Sequence, residues 1–210
     1  MEERSDILQA GIDEAGRGSL FGSVFAGACI MPPLCELEYP ELVKDSKKFS
    51  SRKRREEASV YIKSVAVDWG VGEATSTEVD AANIGKATII AMHRAVTNMT
   101  VSPDQLLVDG NRFDPYIRMG DDCDDYSSIP HQTVVGGDAK YLCIAAASII
   151  AKCAHDAHID ECCSENPSLD ERYGLLRNMG YGTEIHRRGL QIFGPSSLHR
   201  VSFSLLPKTE

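Results

Sequence analysis

Asp13 and Glu14 stand side by side in Gly11-Ile12-Asp13-Glu14-Ala15-Gly16-Arg17-Gly18, the stretch of this sequence richest in usable chemistry. Two adjacent carboxylates followed by a glycine-rich loop with one arginine suit a hard divalent cation and a phosphate. Successive side chains on a strand point to opposite faces, so the pair shares a site only where the backbone turns. Gly16 and Gly18 permit that turn. Taken alone, the stretch reads equally well as a polar hairpin turn. Gly16, Gly18 and Gly22 also resemble a dinucleotide-binding loop, but that pattern needs its third glycine at position 21, which is Phe21. The residues beyond are strand-like, not helical, so no nucleotide cofactor is expected.

Two more carboxylates fall at matching places. Asp109 ends the apolar run Gln105-Leu106-Leu107-Val108-Asp109, and Asp138 follows His131-Gln132-Thr133-Val134-Val135 across Gly136-Gly137. Adjacent strand ends of an open sheet are where such side chains converge. Four acids repel one another unless cations lie between them. An oxygen-only donor set selects Mg²⁺ or Mn²⁺ over zinc. Two such ions about 4 Å apart can activate a water and stabilise the leaving oxygen of a phosphodiester. Each acid singly reads as a strand-end or helix-cap carboxylate; the set of four points to metal.

The elements that must position these acids are α/β. Ile7-Leu8-Gln9-Ala10 enters the first strand, and Gly22 to Ile30 forms the second. Ser50 or Ser51 caps a helix over Arg52–Lys63, with Phe49 stapling it. Val65 to Val71 alternates as a third strand. Thr75 to Ala82 reads as a short capped helix, and Ile84 to Asn98 as a longer one with Ile89, Met92, His93 and Val96 on one stripe. Asp114 to Ser128 is acidic and irregular, a surface loop. A long helix begins near Ala139 and runs toward Cys162, its small residues suited to close packing on a sheet. Gly180-Tyr181-Gly182-Thr183 is a turn, and Glu184 to Phe193 a last helix. The order implies a mixed sheet covered by helices.

Composition bounds the class. The 210 residues suit one domain or one with a small appendage, and 42% hydrophobic with 25% charged residues is ordinary for a soluble globular protein. There is no run of about eighteen apolar residues, and the charged start Met1-Glu2-Glu3-Arg4-Ser5-Asp6 is no secretory signal. The seven cysteines form no Cys-x-x-Cys pair, which favours reduced thiols and a cytoplasmic location. Net charge is −9, yet seven basic residues lie between Lys44 and Arg55. A second basic group, His186, Arg187, Arg188, His199 and Arg200, sits near the C-terminus. A basic run is commonly a solvated helix face; two of them flanking an acidic motif favour a polyanion.

The stretch from Gly11 to Gly18 resembles the signature of ribonuclease HII, the bacterial type 2 ribonuclease H family. The likeness extends through Asp45-Ser46-Lys47-Lys48, Val108-Asp109-Gly110, Gly137-Asp138-Ala139-Lys140, Ala146 to Lys152, Gly180 to Thr183 and His199-Arg200-Val201-Ser202-Phe203, in the family's order. The resemblance implies a ribonuclease H-like α/β fold, a mixed five-stranded sheet flanked by helices. It implies one catalytic domain over 1–210, with a small helical C-terminal part from about 165. The implied activity is Mg²⁺- or Mn²⁺-dependent cleavage of RNA in RNA–DNA hybrids. It includes a cut 5′ of a ribonucleotide embedded in duplex DNA, leaving 3′-hydroxyl and 5′-phosphate ends, with a role in ribonucleotide and primer removal.

By position, Asp13, Glu14, Asp109 and Asp138 match the family's metal-binding acids. Gly16, Arg17 and Gly18 match its loop that senses the ribose 2′-hydroxyl, and Tyr181 the tyrosine that packs on the next sugar. Lys47, Lys140 and Lys152 fall in family blocks and are expected at phosphates. A monomer with no membrane partner is expected. Two departures stand out: Ser19-Leu20-Phe21-Gly22-Ser23 replaces a Pro-Leu-Ala-Gly-Pro-like run, and His155 takes the place of a common arginine before Asp156. Rival readings are a related nuclease of DNA junctions, which needs no hydroxyl-sensing loop, and an inert hybrid-binding module, against which the intact acids argue.

Overall fold

Two glycines let the sheet and its main helix touch backbone to backbone. The first strand, β1 (Gln9–Ala15), carries Gly11 and pairs antiparallel with β2 (Val24–Ile30), which carries Gly27. A Cβ on Gly11 would overlap the backbone at Cys143, and one on Gly27 the carbonyl of Ala147. Both belong to the helix Leu142–Glu165. The run Ala145-Ala146-Ala147 supplies the small side chains that this approach needs.

The structure, a computed structural model, describes residues 7–43, 49, 51–119 and 126–206. Lys47 with its neighbours Asp45, Ser46 and Lys48, the alternative cap Ser50, and the acidic run Asp121-Asp122-Cys123-Asp124-Asp125 lie outside the described residues.

Helix α1 (Arg52–Val65) is capped by Ser51, whose side chain accepts from the Arg54 amide. Strand β3 (Asp68–Ala74) follows, then α2 (Ser76–Ala82) with a reciprocal capping box between Thr75 and Glu78. Helix α3 (Ile84–Thr97) leads to β4 (Gln105–Asp109). A separate hairpin, β5 (Ile117–Met119) with β6 (Tyr126–Ser128), precedes β7 (His131–Val134). A 3₁₀ turn at Gly137–Ala139 opens into α4 (Leu142–Glu165), and the short helices α5 (Ser168–Tyr173), α6 (Leu175–Asn178) and α7 (Glu184–Phe193) follow. The main sheet has the order β3-β2-β1-β4-β7. Strands β1, β2 and β3 pair antiparallel, whereas β4 pairs parallel with both β1 and β7. The expected mixed five-stranded α/β sheet is the observed one.

Alternation assigns the two faces. Ile12, Ala26, Ala28, Leu106 and Val108 pack with Ala87, Ala91, Met92, Ala95 and Val96 of α3. On the other face Cys29 meets Ala146, Ile149 and Ile150 of α4 and Ala58 and Ile62 of α1. A further cluster joins Leu20 and Phe21 to Ile159 of α4 and to Leu169, Tyr173, Leu175 and Leu190 of α5 to α7. Helix α4 is long and apolar enough to cross a membrane, at mean hydropathy 1.3, yet 67% of that window is buried inside the fold. Its apolar surface covers the sheet.

Three boundaries differ from the sequence reading. Val65 ends α1, and the third strand starts at Asp68, where the Asp68 carboxylate accepts from the amides of Trp69, Thr100 and Val101. The segment expected as loop over Asp114–Ser128 contains the β5–β6 hairpin; buried Phe113 and Ile129 draw its two limbs together, and Ile129 donates to the Tyr116 carbonyl. Helix α4 starts at Leu142 rather than Ala139, because Lys140 and Tyr141 both donate to the Gly137 carbonyl and close a tight turn first.

Candidate active site

Asp13, Glu14 and Asp109 stand near one another where β1 and β4 run parallel. Asp13 is 6% exposed and accepts from its own neighbour's amide, Glu14 N, at 2.7 Å. The Ser148 hydroxyl of α4 also bonds it. Burial, with Glu14 and Asp109 nearby, pushes its carboxyl from 3.8 up to about 8. Burial also raises Glu14, which Arg17 partly offsets with an ion pair at 3.0 Å. Asp109 accepts from the Gly137 amide at 2.7 Å, which ties the end of β4 to the turn that carries Asp138.

Asp13, Glu14 and Asp109 thus lie in one another's field, and Asp138 sits beside the residue that bonds Asp109. Among the described residues, no three His, Cys, Asp or Glu side chains stand close enough to share a metal ion as placed. Ser148, Arg17 and the Gly137 amide hold three of the acids individually. The donor set nonetheless fits a hard cation: it is all oxygen, partly buried, and two of its carboxyls, Asp13 and Glu14, are driven toward protonation by burial and a neighbouring acid.

The loop after β1 rises beside this cluster. Gly16 has φ +86°, and a Cβ there would collide with the ring of buried His155. The His155 Nδ1 lies 3.2 Å from Asp156, which Lys152 and Arg55 also bind, each at 2.7 Å. His155 is therefore a packed wall behind the loop, not a solvent-facing replacement for arginine. Tyr181 pairs with Ser19 in an isolated bridge, and its ring edge faces Gly18. Lys152 lies 5.4 Å from the Tyr181 ring, and Lys140 donates to the Val135 carbonyl at 2.7 Å. Both lysines are engaged internally, which narrows their expected availability to phosphate.

Packing leaves few charges of the two basic groups free. Arg52 is paired with Glu56 and Asp160, and Arg55 with Asp156. Arg55 shares with Lys152 the carboxylate of Asp156, whose side chain is 3% exposed, and taking it away would lose a buried charge-assisted hydrogen bond, about 1.5–3 kcal/mol. A surface phosphate contact returns less. Near the C-terminus, His186, His199 and Arg200 are buried, and Arg187 donates to the carbonyls of Gly182, Ser204 and Leu205. Apart from Arg188, this group is internal scaffolding. Lys53, Arg54 and Arg188 remain exposed. Neutralising Lys53 or Arg54 is expected to lower the slope of log K against log salt by up to about one for hybrid binding. Unchanged slopes in both variants would reduce the α1 charges to a solvated face.

The family profile for Ribonuclease HII matches residues 10–206. The protein of that name from Parabacteroides distasonis is 45% identical over 201 residues, 96% of this chain and 92% of its own length. That from Neisseria meningitidis serogroup B is 41% identical over 198 residues, 94% and 93% of the two chains. The chain belongs to the ribonuclease HII family. Solved structures agree in fold. The ribonuclease H2 from Pyrococcus horikoshii has a TM-score of 0.71 at 23% identity, covering 94% of both chains. The RNase HII of the PCNA complex from Archaeoglobus fulgidus has 0.72 at 24%, covering 97% and 98%. Bst-RNase HIII in complex with Mn²⁺ has 0.69 at 17%, covering 95% of this chain and 68% of that one.

Around this site, the sequence leaves several supporting residues unassigned. Ser148 sits in a run of small apolar residues, with nothing local to mark its bond to Asp13. Arg200 is fully buried and donates to the carbonyls of Gly22 and Gly16 at 2.8 Å and of Arg17 at 3.2 Å. Burial lowers its guanidinium to about 10, so it stays charged at neutral pH. The block His199 to Phe203 is the available signal, but only the fold reveals that it clamps the loop.

Asp13 carries a consequence for stability. A carboxyl raised in the folded state stays protonated while the unfolded chain ionises. Folding therefore loses stability as pH climbs from about 4 toward about 8. Without divalent metal, Asp13→Asn is expected to raise Tm by several degrees at pH 8, the gain vanishing near pH 4. A gain of the same size at both pH values would remove Asp13 ionisation as its cause.

Proposed function

We propose that this enzyme is a metal-dependent endonuclease that hydrolyses the RNA strand of RNA–DNA hybrids. It also cuts 5′ of a ribonucleotide embedded in duplex DNA, leaving 3′-hydroxyl and 5′-phosphate ends. Such chemistry serves removal of ribonucleotides and RNA primers during replication and repair, in the cytoplasm. The chain acts as a single monomeric catalytic unit over 1–210, with no membrane partner.

The observation that carries the reading is the mutual field of Asp13, Glu14 and Asp109 beside the loop Gly16-Arg17-Gly18. Asp13, Glu14, Asp109 and Asp138 would hold Mg²⁺ or Mn²⁺, in a two-ion arrangement. Bound there, the cations supply charge neutralisation, water activation and stabilisation of the leaving oxygen. The chain's own residues do the rest. Ser148 fixes Asp13, the Gly137 amide fixes Asp109, and Arg17 moves from Glu14 toward an incoming phosphate. Backbone groups of Gly16 and Gly18 reach the 2′-hydroxyl, Tyr181 packs on the adjoining sugar, and Lys140, Lys152 and Lys47 serve the phosphates.

Cleavage mapping on a duplex with one ribonucleotide, with Mg²⁺ and with EDTA, tests the whole reading. One metal-dependent cut on the 5′ side is expected. Binding without cleavage would turn the chain into a hybrid-binding module, and cutting at deoxynucleotide junctions into a DNA nuclease.

A further inference from the structure

Two buried imidazoles face each other in the C-terminal part, and their proton positions follow from the atoms around them. His199 is 2% exposed and His186 fully buried. The backbone amide of Ser196 can only donate, and it points at His199 Nδ1 from 2.9 Å. His199 Nδ1 is therefore an acceptor, and the proton of the neutral ring sits on Nε2. That atom lies 3.0 Å from His186 Nε2, which must accept. The His186 proton is thereby placed on Nδ1, 3.0 Å from the carbonyl of Tyr181. Every donor along this line has an acceptor, and protonating either ring would set two N–H groups against each other. Burial lowers the affinity of both rings for that extra proton.

Backbone bridges connect both ends of this line to the Ser19–Gly22 loop, far away in sequence. Phe21 bridges antiparallel to His199, and Ser19 to Tyr181. Leu20 donates to the Gly180 carbonyl, and Arg200 donates back to Leu20. Phe21 and Tyr173 pack edge-on against His199, with centroids at 5.1 and 4.6 Å. The rings cannot slide without moving these partners. A Cβ built on Gly18 would lie 3.6 Å from the Tyr181 ring, so a small shift of Tyr181 changes the gap between ring and loop.

We propose that His199 and His186 are specificity-setting positioning residues: their oriented pair fixes the Tyr181 backbone and so the gap in which the sugar after a ribonucleotide is read. This rests on the proposed junction reading. The pair touches no substrate and none of the four acids; loosening it acts on isolated ribonucleotides, where one sugar step must be recognised. A continuous RNA–DNA hybrid offers many registers and depends on it less.

The test compares kcat/KM, with Mg²⁺, on a duplex with one ribonucleotide and on a continuous RNA–DNA hybrid. His199→Ala is expected to lower the ratio of the first to the second about tenfold, the scale of one lost positioning bond. His199→Gln, whose amide can still donate toward His186, restores most of it. Equal losses on both substrates, or none, would overturn the proposal. Tyr181→Ala runs alongside: if it leaves the ratio unchanged, the junction reading has failed, whereas a change there with none in His199→Ala defeats the histidine pair alone. ¹⁵N imidazole spectra of the wild-type protein give a check independent of variant folding. They should show the Nε2–H tautomer for His199 and Nδ1–H for His186. The reverse tautomers, or a charged ring at pH 7, would sink the assignment.

Discussion

Asp13→Asn and Asp109→Asn are each expected to lose turnover in Mg²⁺ by roughly three orders of magnitude or more, with the fold retained. The size follows from what is removed. Preorganised electrostatic groups at a reacting phosphate are individually worth about 10²–10³ in rate, and a bound cation concentrates that effect. The fold survives because an asparagine side chain is nearly isosteric with aspartate. In the Asp109→Asn variant the new amide keeps an oxygen for the Gly137 N–H, and in Asp13→Asn it keeps one for the Ser148 hydroxyl, the bonds that the native acids make. Hybrid binding without metal is expected to persist or tighten, since the acids repel phosphate less. Kinetics with circular dichroism and a binding isotherm separate the effects. Cleavage by either variant close to the wild-type rate in Mg²⁺ would remove that acid from the site.

An all-DNA duplex is expected to stay uncut, and the same duplex with one ribonucleotide to be cut once, on its 5′ side. The two differ by a single hydroxyl, which both donates and accepts a hydrogen bond. A site built to bond a hydroxyl can reject the analogue lacking it by about 10⁴–10⁵, because its polar groups are then left unpaired. The loop is suited to this. Gly16 at φ +86° presents backbone rather than side chain, and Arg200 holds its carbonyl from behind. Tyr181→Ala is expected to depress cleavage at the isolated ribonucleotide by at least about tenfold, the scale of lost ring packing and orientation. Gel mapping of end-labelled duplexes reads both results, and comparable cutting of the two wild-type substrates would end the case for junction reading.

These effects rest on residues of differing legibility. The acids can be read from local pattern, because an apolar strand ending in a carboxylate is a local feature: Leu106, Leu107 and Val108 are buried and Asp109 emerges beyond them. Gly11 and Gly27 are visible as glycines. Their reason, a helix backbone too close for any Cβ, is a property of two strands and a helix together. The Asp68 start of β3 is hidden for the same cause, since its carboxylate is satisfied by amides more than thirty residues away.

By itself the sequence determined the alternation of strands and helices and the family, and it singled out the four acids with their loop and tyrosine as candidates, since propensity, periodicity and motif spacing all act over short distances. Tertiary structure alone decided which charges are free. Arg55 looks like a phosphate ligand until Asp156 of α4 meets it. His186, His199 and Arg200 look like a basic patch until burial turns two of them into neutral rings and the third into a clamp on the Gly16–Gly22 loop. Charge in a sequence is a property of residue type, whereas the availability of that charge depends on solvent and partners that only the packed chain supplies.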